Sequence, residues 1–226
     1  MKHFDQLAEY YDDVLPPHVE EHYFYKRLHF LTKLLKEGLV LDVCSGTGRI
    51  SEGLINEGFQ VVSLDLSMNM LLRRMKVKGY WPVNGLSYEL PFRSNTFDMV
   101  ISVASMHHIA DKEKVRSTIQ EMQRVTKAGG FIVIWDHNPL NPYWKLLMKK
   151  VPQDIGEERL IGADELLSPF AKDQYALRVY KKGFVPDFAP RKLMKLFRVI
   201  EALLESLPVL KLLAAHNVIV ARKKQE

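Results

Sequence analysis

The chain has 226 residues, of which 47% are hydrophobic and 26% charged, and its formal net charge is +5. These values are typical of one large globular domain with enough chain for a sizeable core, and no stretch is repetitive or of low complexity. No apolar run approaches the ~20 residues that cross a bilayer, the first residues lack the apolar core of a signal peptide, and a single cysteine excludes an internal disulfide framework.

The N-terminal residues predict helical elements. Phe4, Leu7, Tyr10 and Tyr11 have the spacing of one apolar helix face. Pro16-Pro17 then breaks the chain, and His18–Lys36 follows as a helix that stops at Gly38. Its predicted inward positions are Phe24, Leu28, Leu31 and Leu35.

The stretch Leu39–Arg49 organises the rest of the chain. Leu39–Val43 is an apolar run of strand length, Cys44–Gly48 are small residues, and helical spacing resumes at Ile50. This succession of a strand, a glycine-containing turn and a helix is typical of nucleotide-binding sites. The glycines let the backbone approach a ligand closely, and the start of the helix offers free N–H groups. Gly46-x-Gly48 alone is weak evidence, and a dinucleotide fingerprint would require a third glycine that this loop lacks, which disfavours a nicotinamide oxidoreductase.

A second strand, Gln60–Leu64, is predicted to end on Asp65, and Ser67 can cap the next helix. An acidic residue at this strand end can accept hydrogen bonds from both hydroxyls of a ribose. The alternative is that Asp65 only caps the helix.

Three more strands are predicted at Tyr80–Val83, Asp98–Val103 and Phe131–Trp135, with an Asp111-capped helix to about Lys127 before the last of them. Polar side chains follow two of these strands, His107 and His108 in one case and Asp136 and His137 in the other. Since ligands of open α/β sheets bind at the carboxyl ends of the strands, these side chains are candidates for chemistry.

The C-terminal third is more basic than the rest. Residues 190–226 carry eight Lys and Arg against three Glu, which accounts for the whole net charge and argues against a whole-protein nucleic-acid binder. Short helices are predicted at Tyr143–Lys150 and Asp164–Lys172, a longer one at Pro190–Leu207, and a final strand at Asn217–Ala221. The longer helix has an apolar stripe of Leu193, Leu196, Phe197, Ile200, Leu203 and Leu204, with Arg191, Lys192, Lys195 and Arg198 beside it.

Several of these segments together resemble the class I S-adenosylmethionine (SAM) dependent methyltransferases, in the small-molecule branch with ubiquinone- and menaquinone-methyltransferase-like motifs. The segments are Phe4–Asp12, Asp42–Gly48, Asp65, Leu90-Pro91-Phe92 with Phe97-Asp98, His107-His108-Ile109 and Gly129-Gly130. The resemblance implies an α/β fold, a Rossmann-like doubly wound sheet of seven mostly parallel strands in the order 3-2-1-4-5-7-6. The last strand would be antiparallel, helices would cover both faces, and Gly183-Phe184-Val185 would lead into strand six.

The resemblance also implies one domain over residues 1–226. Its parts would be cap helices at 1–37, the SAM-binding core at 38–136, a substrate-lid insertion at 137–182, and C-terminal strands with an inserted helix at 183–226.

SAM would be the cofactor and S-adenosylhomocysteine the product, with Tyr11 lying over the sulfonium cation. The implied cofactor-binding residues are Tyr11, Asp42, Cys44, Gly46, Thr47, Gly48, Asp65, Leu66, Ser67, Leu86, Ser87 and Val103. Two positions depart from the family pattern. Cys44 replaces the first glycine, and Leu86 stands where an acidic residue often binds the adenine amino group, a contact that Ser87 or a backbone group would have to supply.

Methyl transfer to an oxygen acceptor benefits from a base that titrates near neutral pH. The candidates are His108, His107, Asp136 and His137, and no metal is expected. Because adjacent residues of an extended segment point in opposite directions, we expect only one of His107 and His108 to face the cleft and favour His108. The alternatives are that it stacks on the cofactor or fills space, or that a carbanion or amine acceptor needs no base.

The expected partner is a small-molecule acceptor in the cytosol. DNA is not expected, because the Asn/Asp-Pro-Pro-Tyr motif of amino-methyltransferases is missing after strand four. RNA is not the expected partner, because the basic residues form only a local tail. The alternative functions are a non-catalytic SAM-binding scaffold and an RNA methyltransferase. We expect the 190–207 helix to be a lid over the acceptor pocket whose basic face favours an anionic or membrane-associated acceptor through weak peripheral contact. The alternatives are that its apolar stripe packs into the protein's own core and that its four basic residues form only a solvated helix face. The sequence leaves the acceptor, the acceptor atom and the oligomeric state open.

Overall fold

The computed structural model describes residues 2–13, 15–147 and 158–225 and contains one seven-stranded sheet. The strands are β1 Leu39–Val43, β2 Gln60–Asp65, β3 Tyr80–Asn84, β4 Phe97–Val103, β5 Thr126–His137, β6 Tyr175–Lys182 and β7 His216–Lys223. Their order is β3-β2-β1-β4-β5-β7-β6, and only β7 runs antiparallel to its neighbours. The predicted fold class, strand order and direction of the last strand are therefore confirmed.

Eight α-helices lie within the described residues. They are α1 Lys2–Leu7, α2 Pro17–Leu34, α3 Arg49–Asn56, α4 Met68–Leu72, α5 Lys112–Val125, α6 Pro142–Leu147, α7 Ala163–Leu167 and α8 Met194–Ser206. Short 3-10 turns occur at Tyr11–Asp13, Met106–His108, Arg191–Leu193 and Leu210–Leu213. None of the described helices is both long enough and apolar enough to cross a bilayer.

Apolar layers cover both faces of the sheet. Leu41 packs in a cluster with Ile119 of α5, whereas its neighbour Val40 packs with Leu31 of α2 and Leu54 of α3. Successive strand residues point to opposite faces, so a strand buried on both sides needs the continuous apolar run that β1 has. This burial on both faces agrees with the position of β1 inside the sheet, between β2 and β4. The glycine loop follows the carboxyl end of β1.

The predicted helix starts are confirmed by their side-chain caps. The Asp111 carboxylate accepts hydrogen bonds from the backbone N–H of Glu113 and Lys114, and the Ser67 hydroxyl accepts one from Met70 N–H. The end of α5 was predicted slightly too late, because Thr126 already pairs with Phe97 and begins β5.

The prediction for strand six is wrong. β6 ends at Lys182 and pairs with β7 along its whole length, so Gly183 follows the strand instead of leading into it. Only Tyr175 of this edge strand is buried. Tyr175, Leu177 and Val179 stand at alternating positions, a strand pattern that sequence reasoning overlooked. Residues 175–182 therefore belong to the sheet and not to a lid insertion.

The region between β5 and β6 contains shorter helices than predicted. α7 is confined to Ala163–Leu167, and α6 begins at Pro142. The end of the predicted Tyr143–Lys150 helix lies outside the described residues. The division of the chain into the four predicted parts otherwise stays a prediction.

The Pro190–Leu207 helix is present as a 3-10 turn followed by α8, but most of its apolar stripe is not part of the core. The buried residues of α8 are Met194 and Glu201, whereas Leu196 and Leu203 are more than half exposed. The face that packs on the body of the protein combines Glu201 with Met194 and with Phe197, which packs against a small buried cluster.

Candidate active site

A cavity of about 600 Å³ opens at the carboxyl ends of the parallel strands. This volume lies within the usual range for small-molecule sites, roughly 300–1,000 Å³. The predicted site residues that line it are Tyr11, Cys44, Gly46, Thr47, Asp65, Leu66, Leu86, Ser87, Val103, His107, His108 and His137. Asp42, Gly48, Ser67 and Asp136 do not line it and lie in the supporting layer around it.

The glycine loop forms one end of the cavity. Gly46 and Gly48 have φ values of 56° and 76°, a left-handed backbone that favours glycine. A Cβ at Gly48 would come within 2.8 Å of Tyr80, whereas a Cβ at Gly46 would have no protein atom within 4 Å. The Gly46 side of the loop is therefore open space in which a ligand can approach the backbone.

Cys44 adopts the same left-handed backbone, with φ 56°, at the position where the family has its first glycine. Burial is the main reason that the pKa of its thiol is raised to about 12, and the nearby Asp65 carboxylate adds to this. The thiol is therefore protonated at neutral pH and is not suited to act as a nucleophile.

Asp65 joins the end of β2 to the glycine loop. One carboxylate oxygen accepts a hydrogen bond from Gly46 N–H and the other from Ser67 N–H, each at 2.8 Å. Burial raises the pKa of Asp65, although these backbone hydrogen bonds oppose the effect. The carboxylate is thus fixed at the cavity wall, and its predicted role as acceptor of the ribose hydroxyls stays a prediction.

Asp42 lies beneath the loop. It is 2% exposed and accepts a hydrogen bond from the Ser51 hydroxyl, which in turn accepts one from Ser63. Burial raises the pKa of Asp42 to about 7, against the effect of Ser51. The structure gives Asp42 a supporting position under the loop, and a direct contact with SAM stays a prediction.

The N-terminal segment covers the cavity, with Tyr11 and Phe4 in its lining and the Phe4 ring edge-on to His108 at a centroid distance of 5.1 Å. Asp12 fastens this segment, because it accepts hydrogen bonds from the Thr47 hydroxyl at 2.7 Å and from Arg74 at 2.9 Å. Sequence reasoning missed Asp12, although its place beside Tyr11 could have suggested it.

The adenine side of the cavity has the predicted residues but no acid at position 86. Leu86, Ser87 and Val103 line the cavity, and the Ser87 hydroxyl is shared with Thr118 at 3.0 Å. An adenine contact from Ser87 or from the backbone stays a prediction.

A group of aromatic and imidazole rings forms the other end of the cavity. His107 and His108 both line it, with ring centroids 4.0 Å apart, so the expectation that only one would face the cleft is wrong. The physical reason is that Met106–His108 is a 3-10 turn and not an extended segment, so neighbouring side chains no longer alternate. The centroid of the His137 ring also lies 4.0 Å from that of His107 and 3.7 Å from that of Trp144.

Asp136 is the centre of the hydrogen bonds in this group. Its Oδ1 accepts from His107 Nδ1 at 2.7 Å and from His137 N–H at 2.6 Å, and Oδ2 accepts from His107 N–H at 3.1 Å. Burial alone would raise the pKa of Asp136, but the His107 charge and these hydrogen bonds lower it overall. Asp136 thus holds the proton of His107 on Nδ1 and leaves Nε2 as the basic nitrogen.

The two neighbouring histidines are neutral. Burial, and then the charges of nearby histidines, lower the pKa of His137 well below its usual value. Burial and the charge of Arg27 lower the pKa of His216, a residue the sequence did not single out, to about 3. Ligand atoms of His107, Asp136 and His137 lie within 4.8 Å of one another and could converge on a metal ion, so the expectation of no metal stays a prediction.

Arg27 is a further residue that sequence reasoning missed. Its guanidinium lies over the rings of Tyr23 and Trp135 at 5.8 and 6.0 Å and lines the cavity. Burial lowers its pKa, and its Nε is buried with no hydrogen-bond partner in the described part of the chain. A charged residue between Phe24 and Leu28 on an apolar helix face is the signal that could have revealed it.

The predicted lid helix does not cover this cavity. No residue of 190–207 is in its lining, and α8 packs instead against α2, where Glu201 pairs with His22 and Lys26.

Comparisons with known proteins agree with this geometry. The family described as "Methyltransferase domain" matches residues 41–134. A demethylmenaquinone methyltransferase from Thermobifida fusca is 36% identical over 117 residues, which cover 48% of each chain. One from Corynebacterium urealyticum is 30% identical over 157 residues, 66% of each chain. The chain spans about half the length of the first of these relatives.

Solved structures share the fold along nearly the whole chain. A SAM-dependent methyltransferase from Thermotoga maritima, described as a possible histamine N-methyltransferase, superposes with a TM-score of 0.69 at 17% identity over 99% of each chain. Another, from Archaeoglobus fulgidus, has a TM-score of 0.68 at 17% identity and covers 90% of this chain and 94% of its own. Residues 41–134 therefore belong to a methyltransferase domain, and the strand order around them is that of the class I SAM-dependent methyltransferase fold.

Proposed function

We propose that the protein transfers the methyl group of SAM to an oxygen atom of a small molecule, with His107 as the general base. The observation that carries the proposal is the 2.7 Å hydrogen bond between Asp136 and His107 Nδ1, at the opposite end of the cavity that Gly46 and Asp65 line. One cavity therefore joins a nucleoside-binding end to an oriented base.

The residues of the cofactor end fit SAM. Gly46 presents backbone to open space, Asp65 presents a carboxylate for ribose hydroxyls, and Tyr11 lies in the cavity wall, where an aromatic ring suits a cation. When bound, SAM supplies an electrophilic methyl group, keeps the bonding electron pair on its sulfur and becomes S-adenosylhomocysteine.

The acceptor end supplies proton transfer. His107 Nε2 takes the proton of the acceptor O–H as the acceptor oxygen forms its bond to the methyl carbon. Asp136 stabilises the resulting imidazolium and keeps the ring in one orientation. This role passes from the favoured His108 to His107, because the Asp136 carboxylate lies 2.7 Å from His107 Nδ1 and orients its ring.

An aromatic acceptor suits the walls of this end. Tyr23, Trp144 and Phe4 line it together with the Arg27 guanidinium, which favours an electron-rich or anionic acceptor oxygen. Relatives named demethylmenaquinone methyltransferase point to the same class, a quinone-derived ring. A scaffold protein would be expected to have a closed acceptor space, whereas this cavity continues to the histidines. A cytosolic location stays a prediction.

The test begins with a thermal-shift screen of aromatic hydroxy compounds in the presence of S-adenosylhomocysteine, followed by assays of methyl transfer to each compound that binds. His107→Gln should abolish most turnover, and His29→Gln, at an exposed position of α2, is the matched control. Full turnover in His107→Gln would remove His107 from the mechanism, and failure of the wild type to bind SAM would overturn the proposal as a whole.

A further inference from the structure

The segment 191–213 exposes an unusually apolar surface, which we call the C-terminal apolar face. Its exposed side chains include Val199 at 67% and Val209 at 74% exposure. The full set is Leu193, Leu196, Val199, Ile200, Leu203, Leu207, Val209, Leu210, Leu212 and Leu213. Soluble proteins seldom leave so many large apolar residues together in water, and such patches usually mark a binding surface.

The opposite side of α8 is firmly attached to the body of the protein. Glu201 is 3% exposed and accepts hydrogen bonds from His22 at 2.8 Å and from Phe184 N–H at 2.7 Å. Glu205 pairs with Lys182 and accepts from Gly183 N–H, each at 2.8 Å. The apolar face is therefore the outward side of a helix whose inward side already has its partners.

The charged residues of the segment are also divided between the two sides of the helix. Its two acidic residues, Glu201 and Glu205, both point inward into these ion pairs. Its outward charged residues are all basic, namely Arg191, Lys192, Lys195 and Arg198. The outward surface thus combines exposed apolar side chains with positive charge and has no carboxylate.

We propose that the C-terminal apolar face docks on the surface of a lipid bilayer that contains anionic lipids. An amphipathic helix with apolar residues on one face and basic residues beside them lies in the plane of the interface. Its basic residues are attracted to anionic headgroups, an attraction that salt screens. A second copy of the chain is a poorer occupant, because a symmetric contact would bring two sets of the same basic residues together.

Docking would also bring the cavity near the lipid. Asn138 donates hydrogen bonds to the carbonyl oxygens of Leu212 and Ala214, and Trp144 Nε1 donates to Ala215. Trp144 lines the cavity, so the apolar turn and the acceptor end are tied together. A membrane-dissolved acceptor would then enter the cavity from the side of the C-terminal apolar face. This consequence rests on the proposed function, whereas docking itself does not.

The test is co-sedimentation of the full chain with vesicles of phosphatidylglycerol and phosphatidylcholine, or of phosphatidylcholine alone, at low and near-physiological salt. The basic variant changes Arg191, Lys192, Lys195 and Arg198 to Gln, and the apolar variant changes Val199, Leu203 and Val209 to Ser. A matched control changes the exposed Arg73, Lys76, Lys78 and Arg116 to Gln. Circular dichroism and binding of S-adenosylhomocysteine report whether each variant is folded.

The wild type and the control should bind the anionic vesicles at low salt and bind less at higher salt. The basic variant should bind about tenfold or more weakly, and the apolar variant should lose binding while it still binds S-adenosylhomocysteine. Wild-type protein that stays in the supernatant at low salt overturns the proposal, as does equal weakening in the control. A dimer that the apolar variant disrupts, without vesicle binding by the wild type, would assign the face to a second copy instead.

Discussion

The two ends of the cavity are built in different ways. At the cofactor end, the cavity wall is formed mainly by the backbone of a short loop. Asp65 accepts a hydrogen bond from Gly46 N–H, only 19 positions away in the chain. At the acceptor end, side chains from five separate segments meet, namely Arg27, His107, Asp136, Trp144 and His216. The difference indicates that the cofactor end is set by local chain geometry and the acceptor end by packing between distant elements.

The first way to test this contrast is to disrupt the acceptor end alone. Asp136→Asn removes the partner that holds the proton on His107 Nδ1, so turnover should fall by about 10²–10⁴-fold. SAM affinity should stay the same, because Asp136 does not line the cofactor end. Steady-state kinetics and calorimetry on the same preparations separate the two effects.

A double variant gives the control for this prediction. His107→Gln with Asp136→Asn should lose little more than either change alone, because both remove the same base. Independent losses that multiply would show that the two residues do not act as a pair.

The matching change at the cofactor end is Asp65→Ala. It should weaken SAM binding by about 2–3 kcal/mol, because two charge-assisted hydrogen bonds of ~1.5 kcal/mol each are lost. Asp173→Ala, at an exposed acidic position, is the control for the loss of charge. Unchanged affinity in Asp65→Ala would mean that the ribose is held elsewhere.

The two ends should also respond to pH in opposite ways. The pKa of His216 is lowered to about 3 from 6.5, so protonation favours the unfolded chain once the pH falls below the unfolded value. The loss of stability from this residue should reach about 2 kcal/mol at pH ~5. Thermal unfolding across this range should show a smaller acid-side slope in His216→Gln, and an unchanged slope would contradict the assignment.

At the cofactor end the sign is reversed, since the pKa of Asp42 is raised to about 7. Its protonated form stabilises the fold in acid, and this contribution is lost as the pH rises from about 4 through 7. Asp42→Asn should therefore flatten the decline of stability between about pH 4 and 7, which thermal unfolding across that range can measure.

The smallest effect is expected at Cys44, which has a left-handed backbone. Cys44→Gly removes a strain of about 1 kcal/mol but adds about 0.5–1 kcal/mol of unfolded-chain entropy, so the free energy of unfolding should hardly change. Cys44→Val keeps the strain and adds a branched side chain, and it should be less stable. Chemical denaturation of the two variants checks the order.

The contrast between the ends also explains what the sequence could predict. Apolar runs predicted the strands near the centre of the sheet, and residues 42–48 and 65 predicted the cofactor end. Both predictions succeeded from local sequence because these features depend on residues that are close together in the chain. β6 was missed although Tyr175, Leu177 and Val179 alternate, because the family resemblance placed strand six after Gly183.

For the acceptor end, the sequence predicted several of the residues but not how their side chains are arranged. The histidines after β4 were identified, yet the choice of His108 depended on an extended segment that is in fact a 3-10 turn. Arg27 and His216 lie far from any motif and reach the cavity only through the packing of α2 and β7. The exposure of α8 depended on Glu201 and Glu205 finding partners on other elements, which no local pattern shows.

The most direct test of the central claim is calorimetric titration of the wild-type protein with SAM, S-adenosylhomocysteine and NAD. We expect saturable binding of SAM and of S-adenosylhomocysteine. NAD should bind much more weakly, because the loop lacks the third glycine of a dinucleotide site. No detectable binding of either SAM or S-adenosylhomocysteine, or tighter binding of NAD than of SAM, would contradict it.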